Sequence, residues 1–166
     1  MSKFQIVQGD ITKMKADAIV NAANNSLLGG AGVDGAIHKA AGPKLIEECM
    51  TLNGCRSGDA KITNGYRLPA KYIIHTVGPV YAGREIDSRV LKSCYINSLN
   101  LAKEKNLHSI IFPAISTGAY GYPAKDATEI AFDTVNRWIQ ENSNYDIDVT
   151  MCAYNDKMYR LFEEVA

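Results

Sequence analysis

The sequence has no excess of charge of either sign. Its 18 Lys and Arg residues are balanced by 18 Asp and Glu residues, so the formal net charge at pH 7 is zero. A domain that holds nucleic acid by electrostatic attraction carries many unbalanced Lys and Arg side chains, because these neutralise the phosphates. The composition therefore disfavours nucleic acid as a partner and leaves room only for a local basic patch.

Long apolar runs are also missing. No stretch approaches the roughly 20 apolar residues that a membrane-spanning helix needs. The N-terminal segment MSKFQIVQGD has a single Lys and no long apolar run after it, which is not typical of a secretory signal peptide. We therefore expect a cytoplasmic protein that does not associate with a membrane.

Metal-binding patterns are absent too. The four cysteines form no CxxC pair, and the three histidines are scattered along the chain. Structural zinc sites draw on closely spaced Cys and His residues. We expect no metal and no cofactor. The cysteines, which are Cys49, Cys55, Cys94 and Cys152, are expected to be small buried side chains.

Short apolar runs alternate with helical patterns along the chain. Strands are predicted at residues 4–7, 18–20, 72–77, 109–112 and 149–154, and these runs are typical of strands buried on both faces. Helices are predicted from about residue 33, on both sides of residues 42–43, near 87–105 and 125–141, and at 156–164. This alternation predicts a single α/β domain, residues 1–166, with a largely parallel sheet covered on both faces.

Two loops in this pattern are suited to binding phosphate. The first, residues 21–38, contains four glycines between positions 29 and 35 and leads from a strand into a helix. Glycine lets the backbone approach a ligand, and a helix N-terminus offers free N–H groups to an anion. The second, residues 114–121, also joins a strand to a helix. Ligands of open α/β sheets bind outside the carboxyl ends of parallel strands, so these loops would hold a pyrophosphate between them.

Two common enzyme motifs are matched only superficially. Residues 30–35 fit the GxGxxG pattern of dinucleotide-binding dehydrogenases, but residues 21–28 separate the strand from the first glycine. That pattern requires a tight turn directly after the strand. Ser116 lies in a segment that lacks the first glycine of the GxSxG motif of serine hydrolases. A hydroxyl or backbone donor to phosphate is therefore the role we predict for Ser116.

Taken together and in order, these segments resemble the macrodomain family. The resemblance rests on VQGDIT at 7–12, IVNAAN at 19–24, the glycine-rich residues 29–38, IHTVGP at 74–79 and FPAISTGAYGYP at 112–123. Within the family, the chain is similar to MacroD-type O-acetyl-ADP-ribose deacetylases and mono-ADP-ribosyl hydrolases. The resemblance covers nearly the whole chain. It implies a three-layer α/β/α fold with a mixed, largely parallel central sheet, and ADP-ribose as the ligand.

The resemblance also assigns roles to individual residues. Asp10 would accept a hydrogen bond from adenine and Asn24 would hold the distal ribose, although each could instead be a turn or capping residue. Tyr120 would pack on the distal ribose, and Tyr154 is a looser match for a residue that stacks on adenine. The complete implied set is Asp10, Ile11, Asn24, Gly32, Val33, Asp34, Ser116, Thr117, Gly118, Ala119, Tyr120 and Tyr154.

The chemistry implied by the resemblance is ester hydrolysis on ADP-ribose. Asp34 and Asn24 would be catalytic, with Asp34 directing a water at an acyl group on the distal ribose. The acyl group would be acetate or an acidic side chain of a mono-ADP-ribosylated protein. The alternatives are a non-catalytic ADP-ribose, poly(ADP-ribose) or RNA-binding module, or removal of phosphate from ADP-ribose 1″-phosphate. His38 shares the helical face of Asp34 but is expected to be a packing residue.

One residue departs from the family pattern. Ala31 stands next to Gly32, where the family usually has glycine. A methyl group there would disfavour a positive φ angle and would narrow the loop. We nevertheless expect the loop to have adapted to alanine.

Overall fold

Six strands form one central sheet in the computed structural model, which describes residues 1–166. The strands are β1 (Phe4–Gln8), β2 (Ala18–Ala22), β3 (Ala60–Asn64), β4 (Tyr72–Thr76), β5 (Ser109–Phe112) and β6 (Asp148–Ala153). They lie in the order β1-β6-β5-β2-β4-β3. Every neighbouring pair is parallel except β3 and β4, which are antiparallel. The predicted mixed, largely parallel sheet is confirmed.

Helices cover both faces of this sheet. They are α1 (Gly32–Ala41), α2 (Lys44–Met50), α3 (Glu85–Glu104), α4 (Ala124–Glu141) and α5 (Asp156–Val165). One hydrophobic core joins the sheet to α3, α4 and α5, and a second joins it to α1 and α2. Val20 belongs to the first core and Ile19 to the second, because successive side chains of a strand point to opposite faces. The three-layer architecture is therefore confirmed. None of the helices combines the length and apolar composition that a membrane span requires.

Strand β3 was not among the predicted strands. Only Thr63 is buried among its five residues, so it lacks the apolar run by which the other strands are recognised. Its place in the sheet depends on antiparallel pairing with β4, in which Thr63 lies opposite Ile73. An edge strand of this kind is specified by its partner more than by its own composition. The predicted bounds of the other strands and helices lie within two residues of the observed ones, and those of β5 coincide.

The parallel strands all direct their carboxyl ends to one edge of the sheet. The segments that leave this edge begin at Gly9 after β1, Ala23 after β2, Val77 after β4, Pro113 after β5 and Tyr154 after β6. Because β5 lies between β6 and β2, its loop occupies the middle of the edge. The glycine-rich loop after β2 and the start of α1 lie beside it.

Candidate active site

A cleft runs along the carboxyl edge of the sheet. One cavity of about 230 Å³ lies between the loops that follow β2 and β5. A second cavity of about 570 Å³ reaches the ends of β1 and β6. Gly32, Val33, Ala114 and Gly118 line both cavities, so the two form one continuous cleft. All twelve residues predicted to contact ADP-ribose line this cleft.

Asp10 lies at the β1–β6 end of the cleft and also caps a short 3₁₀ turn, Ile11–Lys13. Its Oδ1 accepts hydrogen bonds from the backbone N–H of Thr12 at 3.0 Å and from the Thr12 hydroxyl at 2.7 Å. These bonds lower the pKa of Asp10, so the side chain is a carboxylate that only accepts hydrogen bonds. Asp10 therefore has the capping role, and its position at the cleft leaves room for the adenine role as well.

Tyr154 lies at the rim of the same cavity and is 77% exposed. An aromatic ring that is held at a cavity rim and is not packed into the core can stack on a planar base. Stacking of Tyr154 on adenine stays a prediction.

The first predicted phosphate loop ends in the first turn of α1. The N–H groups of Gly32, Val33 and Asp34 have no hydrogen-bond partner within the protein, as is usual at a helix start. Gly32 has a φ angle of +60°, which glycine adopts at little cost. This helix end therefore presents backbone donors and a positive dipole end to the middle of the cleft.

Ala31 does not strain this loop, because its φ angle is −95° and its ψ angle is −179°, an extended conformation open to any residue. We expect Ala31→Gly to leave ADP-ribose affinity and turnover unchanged. Its free energy of unfolding should fall by about 0.4–1 kcal/mol, because glycine gains entropy in the unfolded chain. Thermal melting together with calorimetric titration would test this, and tighter binding by Ala31→Gly would contradict it.

The second predicted phosphate loop has its free hydrogen-bond donors in the backbone. The Ser116 hydroxyl donates to the Pro79 carbonyl oxygen at 2.9 Å, and the Thr117 hydroxyl donates to the Ala114 carbonyl oxygen at 2.8 Å. Both hydroxyl protons are thus already used. The groups without a partner in the protein are the N–H groups of Ser116, Gly118, Ala119 and Tyr120. Of the two roles predicted for Ser116, the structure favours the backbone donor.

Asn24 lies at the other end of the cleft and builds the turn that contains it. Its Oδ1 accepts from the Ser26 hydroxyl at 2.7 Å and from the N–H groups of Ser26 and Leu27, both at 3.2 Å. Its Nδ2 donates to the Gly29 carbonyl oxygen at 2.9 Å, which leaves one amide hydrogen for another acceptor. The turn-forming role is therefore present, and a single donor remains for the predicted contact with ribose.

Asp34 is buried on α1, with only 4% of its surface exposed, yet it lines the cavity beside Asn24. Its Oδ1 accepts from Asn21 Nδ2 at 2.8 Å. A Cβ placed on Gly30 would lie 3.0 Å from its Oδ2, so this second oxygen faces the glycine loop. His38 Nε2 lies 3.5 Å from Oδ1 and has no hydrogen-bond partner, so His38 borders Asp34 without a bond to it. One oxygen is thus anchored, and the other can accept a hydrogen bond from water.

Three buried polar residues near Asp34 were missed in the sequence. Asn21, His75 and Thr63 lie on β2, β4 and β3, and each is at most 2% exposed. Asn21 and His75 interrupt otherwise apolar strands. This pattern could have indicated a buried polar network, because a buried polar side chain requires a partner. Burial lowers the pKa of His75 to about 3, and the neighbouring His38 adds to this effect. His75 is therefore neutral at physiological pH.

The cysteines are all free and buried, as predicted. Cys152 lines the β1–β6 end of the cleft, and its thiol donates to the Gly9 carbonyl oxygen at 3.3 Å. Burial raises its pKa to about 11, so it stays protonated and is a poor nucleophile. No group of three or more His, Cys, Asp or Glu side chains is arranged to hold a metal ion.

The fold and the cleft define an α/β protein with an open cleft at the carboxyl edge of a mixed sheet. Comparison with known proteins identifies the class. Residues 20–131 match the Macro domain family. The chain is 57% identical over 157 residues to a Macro domain-containing protein of Methanosarcina mazei, covering 94% of this chain and 84% of that protein. This chain belongs to the macrodomain family, as predicted.

A second relative bears the name of an enzyme. ADP-ribose glycohydrolase MACROD1 of Rattus norvegicus is 49% identical over 164 residues, which are 98% of this chain and 64% of the rat protein. This chain thus spans slightly less than two thirds of that relative's length.

Solved structures of the Trypanosoma brucei macrodomain agree with the fold described above. The structure in complex with ADP has a TM-score of 0.93 and 42% identity, and covers 98% of this chain and 68% of that chain. The structure in complex with ADP-ribose has a TM-score of 0.89 and 44% identity, and covers 96% of this chain and 67% of that chain.

Proposed function

We propose that residues 1–166 form a single macrodomain that binds ADP-ribose and hydrolyses an acyl ester on its distal ribose. The observation that carries the proposal is the buried carboxylate of Asp34, which is anchored through Oδ1 and lines the end of the cleft near Asn24. The name of the rat relative, ADP-ribose glycohydrolase, supports it. The T. brucei complexes with ADP and ADP-ribose support the choice of ligand.

The shape of the cleft suits the parts of ADP-ribose in order. Strands β1 and β2 are three strand spacings apart in the sheet, which is about 14 Å. Adenine would lie near Asp10 and Tyr154 at the β1–β6 end, and the distal ribose near Asn24 and Tyr120. The pyrophosphate between them would accept hydrogen bonds from the free N–H groups of both loops.

Water is the nucleophile in the proposed reaction. The hydroxyl of Ser116 is committed to Pro79, and the thiol of Cys152 is protonated, so neither is an activated nucleophile. Asp34 accepts a proton from water as the water oxygen attacks the acyl carbonyl carbon. The ester C–O bond then breaks, the proton passes to the departing ribose oxygen, and the acyl group leaves as a carboxylic acid. Asn24 and the loop N–H groups hold the substrate in place.

The proposed substrates are O-acetyl-ADP-ribose and proteins that carry mono-ADP-ribose on Asp or Glu, since both contain the same ester. The test is incubation of the protein with O-acetyl-ADP-ribose, with a glutamate-ADP-ribosylated protein and with ADP-ribose 1″-phosphate, followed by product analysis. Release of ADP-ribose from either ester supports the proposal. Tight ADP-ribose binding without turnover would instead indicate a reader, and turnover of the phosphate alone would indicate a phosphatase.

Adenine binding is expected to depend on the charge of Asp10. In Asp10→Asn, the amide oxygen can still cap the 3₁₀ turn. The amide NH₂ group then faces adenine in place of the second carboxylate oxygen, which is an acceptor. ADP-ribose affinity should fall by roughly 1–3 kcal/mol while the melting temperature stays the same. Asp10→Ala should show the same loss of affinity and, in addition, a loss of stability of about 0.5–2 kcal/mol, because the cap is removed. Calorimetry and thermal melting measure the two effects, and unchanged affinity in both variants would leave Asp10 only the capping role.

A further inference from the structure

A chain of hydrogen bonds joins strand β3 to Asp34 through the interior of the protein. The Thr63 hydroxyl donates to the Asn64 carbonyl oxygen at 3.1 Å, and Thr63 Oγ1 is 2.9 Å from His75 Nε2. His75 Nδ1 is 3.0 Å from Asn21 Nδ2. Asn21 Nδ2 in turn donates to Asp34 Oδ1 at 2.8 Å.

The hydrogen bonds at both ends of this chain, that of Thr63 to Asn64 and that of Asn21 to Asp34, require the same tautomer of the His75 ring. A backbone carbonyl can only accept, so the single hydroxyl proton of Thr63 is directed to Asn64. Thr63 Oγ1 must then accept from His75, which places the ring proton on Nε2. Nδ1 is left as an acceptor, and the two hydrogens of Asn21 Nδ2 go to His75 Nδ1 and to Asp34 Oδ1.

We propose that Thr63 and His75 are positioning residues for Asp34, because Thr63 selects the ring tautomer that lets Asn21 hold the carboxylate. Only the expected effect of this tautomer on catalysis rests on the proposed function. In the opposite tautomer, an N–H of His75 would point at the amide N–H of Asn21 across 3.0 Å. Two donors at that distance repel, so Asn21 would move away from Asp34.

Asn21 has no alternative anchor in its surroundings. Its Oδ1 is buried and has no hydrogen-bond partner, so the side chain is held through Nδ2 alone. Three titratable groups face His75. Asp34 does so by way of Asn21, and the ring centroid of His38 is 6.4 Å from that of His75. Cys49 Sγ is 4.0 Å from His75 Nε2. Burial keeps His75 neutral, so the tautomer and not the charge is the variable.

The test compares Thr63→Val with Thr63→Ser and with a matched control, Thr76→Val. Valine keeps the shape of threonine but removes the acceptor for His75, whereas serine retains it. Thr76 is also a buried strand threonine whose hydroxyl donates to a backbone carbonyl, that of Asp59 at 2.7 Å, but it does not belong to the chain of bonds. The readouts are the ¹⁵N chemical shifts of the His75 ring, and kcat and KM for O-acetyl-ADP-ribose.

In the wild-type protein and in Thr63→Ser, we expect His75 to carry its proton on Nε2. In Thr63→Val, we expect a mixture of tautomers and a kcat lower by roughly tenfold with KM unchanged, the size of effect that loss of one hydrogen bond allows. Thr76→Val should keep the wild-type tautomer and kcat at comparable stability.

A single Nε2–H tautomer in Thr63→Val, or an equal loss of kcat in Thr63→Ser or Thr76→Val, would overturn the proposal. The NMR measurement requires no turnover, so it tests the role of Thr63 even if the wild-type protein hydrolyses neither ester. Failure of the proposed function is thus distinguishable from failure of this inference.

Discussion

Asp34→Asn is expected to bind ADP-ribose as well as the wild-type protein does, or better, and to lose most of its hydrolytic activity. Asparagine keeps the size of the side chain, and its amide oxygen can still accept the hydrogen bond that Asn21 Nδ2 makes to Oδ1. The fold around α1 should therefore persist. The variant removes a negative charge beside the expected pyrophosphate site, which favours binding of an anionic ligand. It also removes the general base, which typically lowers the rate by about 10²–10⁴-fold.

The matched control for this prediction is Asp10→Asn, which changes the other predicted carboxylate of the cleft in the same way. Asp10 lines the β1–β6 end of the cleft, away from the expected ester, so Asp10→Asn should lose affinity but keep turnover at saturating substrate. Both variants are measured by kcat for O-acetyl-ADP-ribose and by calorimetric affinity for ADP-ribose. Near-normal kcat in Asp34→Asn would remove Asp34 from the mechanism and leave the substrate's own phosphate oxygen as the activator of water.

The fold was predictable where a strand is buried on both faces. In β2, Ala18, Ile19 and Val20 are completely buried, so the apolar run in the sequence corresponds directly to a central strand. β3 escaped prediction because it lies at the sheet edge and three of its five residues are half-buried. Its position is determined by pairing with β4, which is a contact between segments and not a local pattern.

The residues of the cleft were predictable for a related reason. They follow the carboxyl ends of parallel strands, so their order along the sheet follows once the strands are identified. What each side chain does there was less predictable. Ser116 and Asn24 were expected to reach the ligand. The Ser116 hydroxyl instead bonds to the loop that follows β4, and most polar atoms of Asn24 build its own turn. Local hydrogen bonds of this kind depend on backbone angles that the residue types alone do not fix.

The chain of bonds behind Asp34 could not be predicted from spacing. Thr63, His75, Asn21 and Asp34 come from four different elements, and adjacent members of the chain are between 12 and 54 residues apart in sequence. The register of β3 on β4 and of β4 on β2 brings the three strand residues together, and Asn21 lies opposite His75 in the second register. The packing of α1 against β2 adds Asp34. The sequence does show that Asn21 and His75 are polar residues in buried strands, and such residues need partners.

Gly35→Ala is expected to destabilise the protein, although alanine normally stabilises a helix. Gly35 lies inside α1, where alanine is favoured over glycine by about 1 kcal/mol. However, a Cβ at this position would overlap the carbonyl oxygen of Gly30 and lie 3.4 Å from its carbonyl carbon. Both are backbone atoms, so no side-chain rotation can relieve the contact, and overpacking of this kind typically costs about 1–3 kcal/mol or more.

The same overlap should damage the site, because the displaced segment is a wall of the cleft. A Cβ placed on Gly30 would lie 3.0 Å from Asp34 Oδ2 and 3.4 Å from Asn24 Nδ2, so Gly30 is close to both predicted catalytic residues. If the loop moves away from α1, the space for the attacking water changes, and both kcat and ADP-ribose affinity should fall. We expect a melting temperature lower by roughly 2–8 °C, as follows for a net loss of about 1–2 kcal/mol in a domain of this size.

Gly118→Ala is the control for stability. Gly118 also lies in a loop of the cleft, but a Cβ there would have no atom within 4 Å, and its φ angle is not positive. Its melting temperature should equal or slightly exceed that of the wild-type protein, because alanine has less entropy than glycine in the unfolded chain. A general effect of replacing a cleft glycine is thus separated from the overlap at Gly35. If Gly35→Ala melts at a higher temperature than the wild-type protein, helix propensity outweighs the contact with Gly30. In that case, the close contact between Gly30 and α1 would not be what holds the glycine loop beside Asp34.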